Sequence, residues 1–328
     1  MIAGTTPAAA HDIVVIDLDF HQRTCSTHFF MDLVAGEGTR VLYCDPSKDD
    51  VLSLLRAHTC RSLVFMQIQP KPRLLRALRH PNVTWVPMRD DLRHDASRVR
   101  QLQGSGLKFI NFCRESHAVF SARGHPSLSL SYWTAPQLAP RRSERVHPRL
   151  FLWDRGQVQW PDLKRLIGDQ PVDSVVLRLA PDPGLACVRP DAQDIQRYRI
   201  ELIEGWLDHA DYLALLRDCD VFVAPRRLEG IGMATLEAMG SGQPVLAPDR
   251  ATMNEYVVHG RNGWLYDPDR PAPVDLSDWR LRGQAAWEDS VAGAAAWNRQ
   301  QAEVRPFVLA PSPRRERLWW RLATGLGL

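Results

Sequence analysis

Short apolar runs alternate along the first part of the chain with stretches whose apolar positions recur every three or four residues. Residues 13–18, 40–43, 62–66, 83–86 and 107–112 are rich in Val, Ile, Leu and Phe and have the length of buried strands. Residues 24–34 (ending near Gly36), 49–57, 72–78 and 97–102 carry helical spacing. Strands separated by helices predict βαβ units and a parallel sheet covered on both faces. Right-handed crossovers then give a doubly wound α/β domain.

The rhythm breaks between Ala135 and Pro148, where Pro and Arg crowd a segment without periodicity, the signature of a linker. It then restarts. Strands are expected at 150–153, 174–179, 199–203, 220–224 and 244–247, and helices at 161–167, 210–217 and 232–240. Beyond Asp267 come a Pro-rich patch, a polar helical piece at 283–300 and a basic tail with tryptophans. The division expected is 1–140, a linker at 141–148, a second domain at 149–300 and a tail at 301–328. Ligands of such sheets sit beyond the carboxyl ends of the strands, where the strand order reverses. Two Rossmann-like domains are therefore expected to face each other across a cleft.

Composition narrows the classes. Hydrophobic residues make up 45% and charged residues 24% of 328, as in a globular protein with room for two cores. A formal charge of +3 argues against a dedicated nucleic-acid binder. The six cysteines are scattered without a C-x-x-C pair, which predicts reduced thiols rather than disulfides or a zinc site. Residues 1–11 lack a basic stretch followed by an apolar one, so no signal peptide is expected. No window has the apolar length of a membrane span. A cytoplasmic protein is expected, with any membrane contact peripheral.

The chemistry concentrates between Asp220 and Gly263. An apolar strand ends at Pro225, a turn holds Gly230 and Gly232, and a helix follows from about Gly232. Glycines there allow a ligand close to the backbone, and a helix N-terminus offers unpaired N–H groups and a positive dipole end, a phosphate-accepting corner. Glu229 precedes the helix and Glu237 lies within it, so the two reach different parts of one extended ligand.

The stretch Glu229-Gly-Ile-Gly-Met-Ala-Thr-Leu-Glu237-Ala-Met-Gly-Ser-Gly-Gln-Pro-Val resembles the E-x7-E donor-binding region of family 4 retaining glycosyltransferases. The likeness continues in Asn254-Glu255-Tyr-Val-Val-His-Gly260-Arg-Asn262-Gly263 and covers about 208–265. It implies the two-domain GT-B fold and a nucleotide diphosphate sugar as co-substrate. It also implies a front-face reaction in which the leaving phosphate helps to deprotonate the acceptor. In that reading Glu229 contacts hydroxyls of the donor sugar and Glu237 holds the ribose, with Glu255 nearby. Backbone N–H groups from Gly230 and Ile231 through Gly232 to Met233 take the diphosphate. Fixed donors on that growing charge are the largest contribution such a site makes. No cofactor and no metal are expected.

Two departures stand out. The family places an Arg and a Lys after the first strand of the donor domain; Arg155 takes the first position, but Trp160 stands in the second. Lys164, Arg178 and Arg226 are the substitutes to weigh. On the acceptor side, where a His-Asp pair is expected after a strand, the chain has Arg89-Asp90, with His94 beyond and His117 after another strand. Each of these acceptor-side residues competes with a helix cap or a buried histidine. Asp17-Leu18-Asp19 has the spacing of a metal-binding D-x-D, but sits on a first strand of the wrong fold for that role. Gly104–Gly106 reads as a turn. The tail around Arg314–Trp320 suits either an interfacial helix on an anionic membrane or a helix packed on the first domain.

The function expected is sugar transfer to a hydroxyl of a glycan or lipid-linked acceptor, of the kind used in bacterial polysaccharide or lipopolysaccharide synthesis. A non-catalytic subunit that binds nucleotide sugar or glycan is one alternative. A phosphorylase or epimerase of the same fold is the other.

Overall fold

The computed structural model describes residues 10–92, 100–136, 140, 143–205 and 207–313. The tail from Arg314 and His94 lie outside the described residues, as does the first half of the helix expected at 97–102. The chain divides into two compact units, Met1–Leu130 with Asn298–Leu328, and Ser131–Trp297.

In the first unit, β1 (Ala10–Leu18), β2 (Thr39–Cys44), β3 (Thr59–Met66), β4 (Val83–Val86), β5 (Lys108–Asn111) and β6 (Ser127–Ser129) form one parallel sheet in the order β2-β1-β3-β4-β5-β6. The order reverses between β1 and β3. Val14, Ile16, Phe65, Trp85 and Phe109 point into one core, where Phe109 stacks on Phe120 at 3.8 Å. The helix expected at 24–34 is in fact two, α1 (His21–Thr24) and α2 (His28–Val34). Cys25 ends the first in a left-handed conformation (φ 55°), closing its N–H on the carbonyl of His21. After α3 (Val51–Arg56), capped by Asp50, and α4 (Pro72–Leu78), with Pro at its start, comes α5 (Arg114–Ser121). Neither α5 nor β6 announces itself in the hydrophobic pattern.

In the second unit, β7 (Arg149–Asp154), β8 (Ser174–Leu179), β9 (Ile200–Glu204), β10 (Val221–Val223), β11 (Val245–Pro248) and β12 (Gly263–Tyr266) form a second parallel sheet, ordered β12-β11-β10-β7-β8-β9. Here the order reverses between β7 and β10. The helices are α6 (Trp160–Ile167), α7 (Ala192–Arg197), α8 (His209–Arg217), α9 (Met233–Gly240) and α10 (Met253–Tyr256). Leu150, Leu152, Leu177 and Val223 line one face of the sheet with α6 packed on it.

The last described helix, α11 (Trp279–Leu309), extends well past the expected 283–300 and contains Pro306. Its carbonyls near the C-terminus need partners. Buried Lys108 donates to the carbonyls of Phe307, Val308 and Ala310 at 2.7, 2.9 and 2.6 Å. Ser62 and Asn82 also donate to Val308, at 2.9 and 3.1 Å. No described helix is long and apolar enough to cross a membrane.

Candidate functional site

The reversal between β7 and β10 is where a sheet of this order opens a crevice, and most of the residues singled out on the donor side flank it. Arg155 follows β7. Beyond β10, the turn from Arg226 to Gly232 leads into α9. Gly232 caps that helix at φ 76°, a left-handed conformation that a side chain resists. The turn is fixed from beneath: the hydroxyl of buried Thr252 donates to the carbonyls of Glu229 (2.8 Å) and Gly230 (3.0 Å). Gly230 and Ile231 are buried with it, and Met233 opens the helix. Glu255 lies half-buried in α10, directly after this anchor.

Arg155 and Glu229 are joined through two residues that sequence reasoning did not place together. Arg155 donates to one oxygen of Asp182 at 2.9 and 2.5 Å. Arg226 holds the other oxygen through Nε at 2.9 Å and Nη2 at 2.8 Å. Its Nη1 lies 3.6 Å from buried Glu229. Asp182 is thus a hub for two cations. It sits in the loop after β8, in text with no motif to mark it.

Glu237 rises from α9 among buried groups. Burial pushes its carboxyl pKa up, and His209, 4.0 Å away, partly offsets this. Beside it, the Tyr212 hydroxyl is buried without a hydrogen-bond partner among the described residues, and its pKa is raised by burial and then by the charge of Glu237. The third member of this group is Arg178 on β8, only 3% exposed. Its guanidinium lies 4.2 Å over the Trp153 ring, and that of Arg155 lies 4.9 Å from the same ring. Nε of Arg178 and Nε1 of Trp153 are buried without hydrogen-bond partners among the described residues. Burial lowers the pKa of Arg178, the negative form of Tyr212 counters this, and Arg155 adds to it. A desolvated guanidinium without a carboxylate is a cation prepared for an anion.

Trp160 is not a member of the site. It points into the core of the second unit, and its indole N–H donates to Asp194 at 2.8 Å. Lys164, one turn further along α6, pairs with the same Asp194 at 2.7 Å. Of the three substitutes weighed for the family lysine, Arg178 and Arg226 stand with Arg155, and Lys164 is engaged elsewhere.

The acceptor-side residues are held in local structure. Arg89 pairs with Glu115 at 3.1 and 3.3 Å and also donates to the carbonyl of Leu92. His117 meets Ser127 through Nδ1 at 2.9 Å and Ser121 through Nε2 at 3.4 Å. Asp90 lies in the turn after β4. Asp17 is buried and accepts from Leu18 N, His21 and Thr27. Among the described residues no group of three His, Cys, Asp or Glu is placed to hold a metal ion. Gly104 and Gly106 take left-handed conformations, in keeping with a turn.

Residues 187–276 match the model of the family described as glycosyl transferases group 1. Over 72 residues the chain is 35% identical to an uncharacterized glycosyltransferase of Methanocaldococcus jannaschii, a stretch that makes up 22% of this chain and 20% of that protein. Over 53 residues it is 43% identical to the lipopolysaccharide core biosynthesis mannosyltransferase LpsB of Rhizobium meliloti, covering 16% and 15% of the two chains. A longer stretch of 130 residues is 28% identical to the D-inositol 3-phosphate glycosyltransferase of Pseudarthrobacter chlorophenolicus, 39% of this chain and 23% of that one. The matches therefore span a fifth or so of the relatives' lengths, 15% to 23% in these three. The fold likeness reaches further. Anabaena HepE, solved in complex with UDP and glucose, is similar over 89% of this chain and 98% of its own, with a TM-score of 0.57 at 14% identity. Sucrose-phosphate synthase from Thermosynechococcus elongatus gives a TM-score of 0.60 at 13% identity, over 89% and 97%. Residues 187–276 thus match the glycosyl transferases group 1 family, in a chain whose two parallel sheets are similar to those of GT-B glycosyltransferase structures.

Proposed function

We propose that the chain is a glycosyltransferase that moves a sugar from a nucleotide diphosphate donor to a hydroxyl of a glycan or lipid-linked acceptor. The observation that carries this reading is Arg178, a buried cation with no carboxylate partner among the described residues, which shares the Trp153 ring with Arg155 and feels the Tyr212 hydroxyl. In the bound state Arg155, Arg178 and Arg226 would neutralise the diphosphate, together with the backbone N–H groups from Ile231 to Met233. Glu237 would accept from ribose hydroxyls and Glu229 from hydroxyls of the transferred sugar. Three guanidiniums and a helix N-terminus supply the positive charge, so the reading calls for no metal ion. The family resemblance favours retention of configuration, the departing phosphate taking the acceptor's proton. All six cysteines are free thiols, which suits a reducing compartment such as the cytoplasm.

The test is calorimetric titration with UDP, GDP and ADP, paired with a panel of nucleotide sugars in which release of nucleoside diphosphate is followed. The wild-type chain is expected to bind at least one diphosphate and to turn over its sugar. Arg178→Met removes a charge-assisted contact and should weaken that binding by about tenfold to a hundredfold, leaving binding of the free nucleoside unchanged. A wild-type chain that binds none of the three sinks the reading. Turnover that survives Glu229→Ala removes Glu229 from the machinery.

A further inference from the structure

We propose that Asp182 is a built-in competitor of the anion: its carboxylate holds Arg155 and Arg226 between turnovers and must release them for phosphates to bind. Naming that anion as the donor's diphosphate rests on the transfer proposed above; the competition for the two arginines does not.

The second unit brings two guanidinium forks to one carboxylate. Arg155, just after β7, sets Nε and Nη2 at 2.9 and 2.5 Å from Oδ1 of Asp182. Arg226, beyond β10, sets Nε and Nη2 at 2.9 and 2.8 Å from Oδ2. Planar forks of this kind recognise the edges of carboxylates and phosphates alike. Both arginines flank the reversal between β7 and β10, where a ligand of this sheet is expected. Asp182 therefore takes with its own oxygens the donors that a phosphate would use. Two anions on the same forks repel each other, so the carboxylate has to leave.

The loop allows that exit without moving the backbone. The Asp182 N–H donates to the carbonyl of Arg155 at 3.1 Å, and the Asp182 carbonyl accepts from Leu185 N at 3.0 Å. Pro181 and Pro183 restrict the chain on either side. The Asp182 side chain is 17% exposed, whereas residues 181 and 183–186 around it are all exposed. A change of χ1 rotamer carries the carboxylate from the arginines toward solvent. Arg226 stays anchored when this happens, because its Nη1 lies 3.6 Å from Glu229. Arg178 has no such competitor among the described residues. As the anion departs, the carboxylate returns to the forks, which lowers affinity and speeds release. A strut that merely shaped the two arginines would act the other way, since its removal would loosen them and weaken anion binding. The sign of the effect separates the two roles.

The experiment uses the full chain, with inorganic pyrophosphate, UDP, GDP and ADP as probes in calorimetric titrations at fixed ionic strength. Asp182→Asn, which keeps the shape and removes the charge, should tighten pyrophosphate binding by about tenfold. It should tighten whichever nucleoside diphosphate the wild type binds to a similar degree and slow its dissociation in stopped-flow. Asp182→Glu, which keeps the charge, should stay close to the wild type. In an Arg226→Met chain the gain from Asp182→Asn should shrink, because part of the competition runs through that fork. A measurement on the wild type alone follows the Arg155 and Arg226 Nε–H signals by NMR; both should shift as pyrophosphate is added. Pyrophosphate binding that is absent, or that weakens or stays unchanged in Asp182→Asn, overturns the proposal, as do arginine signals that do not move at saturation. Pyrophosphate binding that tightens in Asp182→Asn, in a chain that binds none of the three nucleoside diphosphates, strikes the donor reading instead and leaves the competition standing.

Discussion

A guanidinium that is 3% exposed and stacked on an indole has given up its water without receiving a carboxylate. That imbalance is what makes Arg178 informative, and it was invisible in the text of β8, where an arginine among valines and leucines carries no motif. Glu229, Gly232 and Glu237 were legible because their chemistry depends on spacing along one short segment. Arg178, Asp182 and His21 depend on what surrounds them after folding, which spacing does not encode. At this scale Gly232→Ala is the sharpest test of the turn. A side chain at φ 76° is strained, and its Cβ would stand 2.3 Å from the Met253 methyl, a flexible neighbour that can yield. The backbone term alone should cost about 1 kcal/mol, seen as a lower Tm, with nucleoside diphosphate affinity reduced because the N–H groups shift. Thiol reactivity offers a second check. Burial pushes Cys44 and Cys60 up to about 11 and Cys219 up to about 12, whereas Cys25 is exposed. Brief iodoacetamide treatment near neutral pH, followed by peptide mass spectrometry, should find Cys25 labelled first.

Among the elements, strands and long helices followed the hydrophobic pattern closely, and the errors have identifiable causes. One helix was expected at 24–34 because its apolar residues keep a helical period, but Cys25 turns left-handed and Thr27 is drawn onto Asp17, so two short helices form instead. The short β6 and the helix before it are too brief and too polar for periodicity to register. Helix α11 carries the clearest prediction of pH dependence. Burial lowers the Lys108 ammonium to about 8, against about 10.4 for an exposed lysine in the unfolded chain. Between those values the unfolded chain binds more protons than the folded one. Stability should therefore rise with pH across that window, and below it this group adds no slope. Lys108→Met should erase the rise in a series of thermal melts. It should also lower Tm near neutral pH, since the carbonyls of Phe307, Val308 and Ala310 lose a shared donor.

Across the whole molecule the two sheets share a plan. Each is parallel, and each reverses its order once. The fold class was therefore readable from the alternation of elements. The donor corner was readable from the glutamates and glycines, and the Asp182 bridge was not. A ligand that binds only the folded chain stabilises it by mass action, by about 2.7 kcal/mol at a hundred times its Kd. Saturating nucleoside diphosphate should raise Tm accordingly, and hydrogen exchange should slow in the turn and helix of residues 226–240. Both effects should shrink in Arg178→Met.

The bonds from Lys108 to α11 also bear on synthesis. Lys108 and its partner carbonyl at Val308 are 200 residues apart. While the chain emerges from the ribosome, the first unit waits for a segment made after the entire second unit. The usual order, in which the N-terminal body folds first, thus leaves these bonds of the first unit to be made last. Until that helix arrives Lys108 has a charge and no carbonyls to receive it, and a nascent chain stalled before residue 307 would hold the first sheet unfinished.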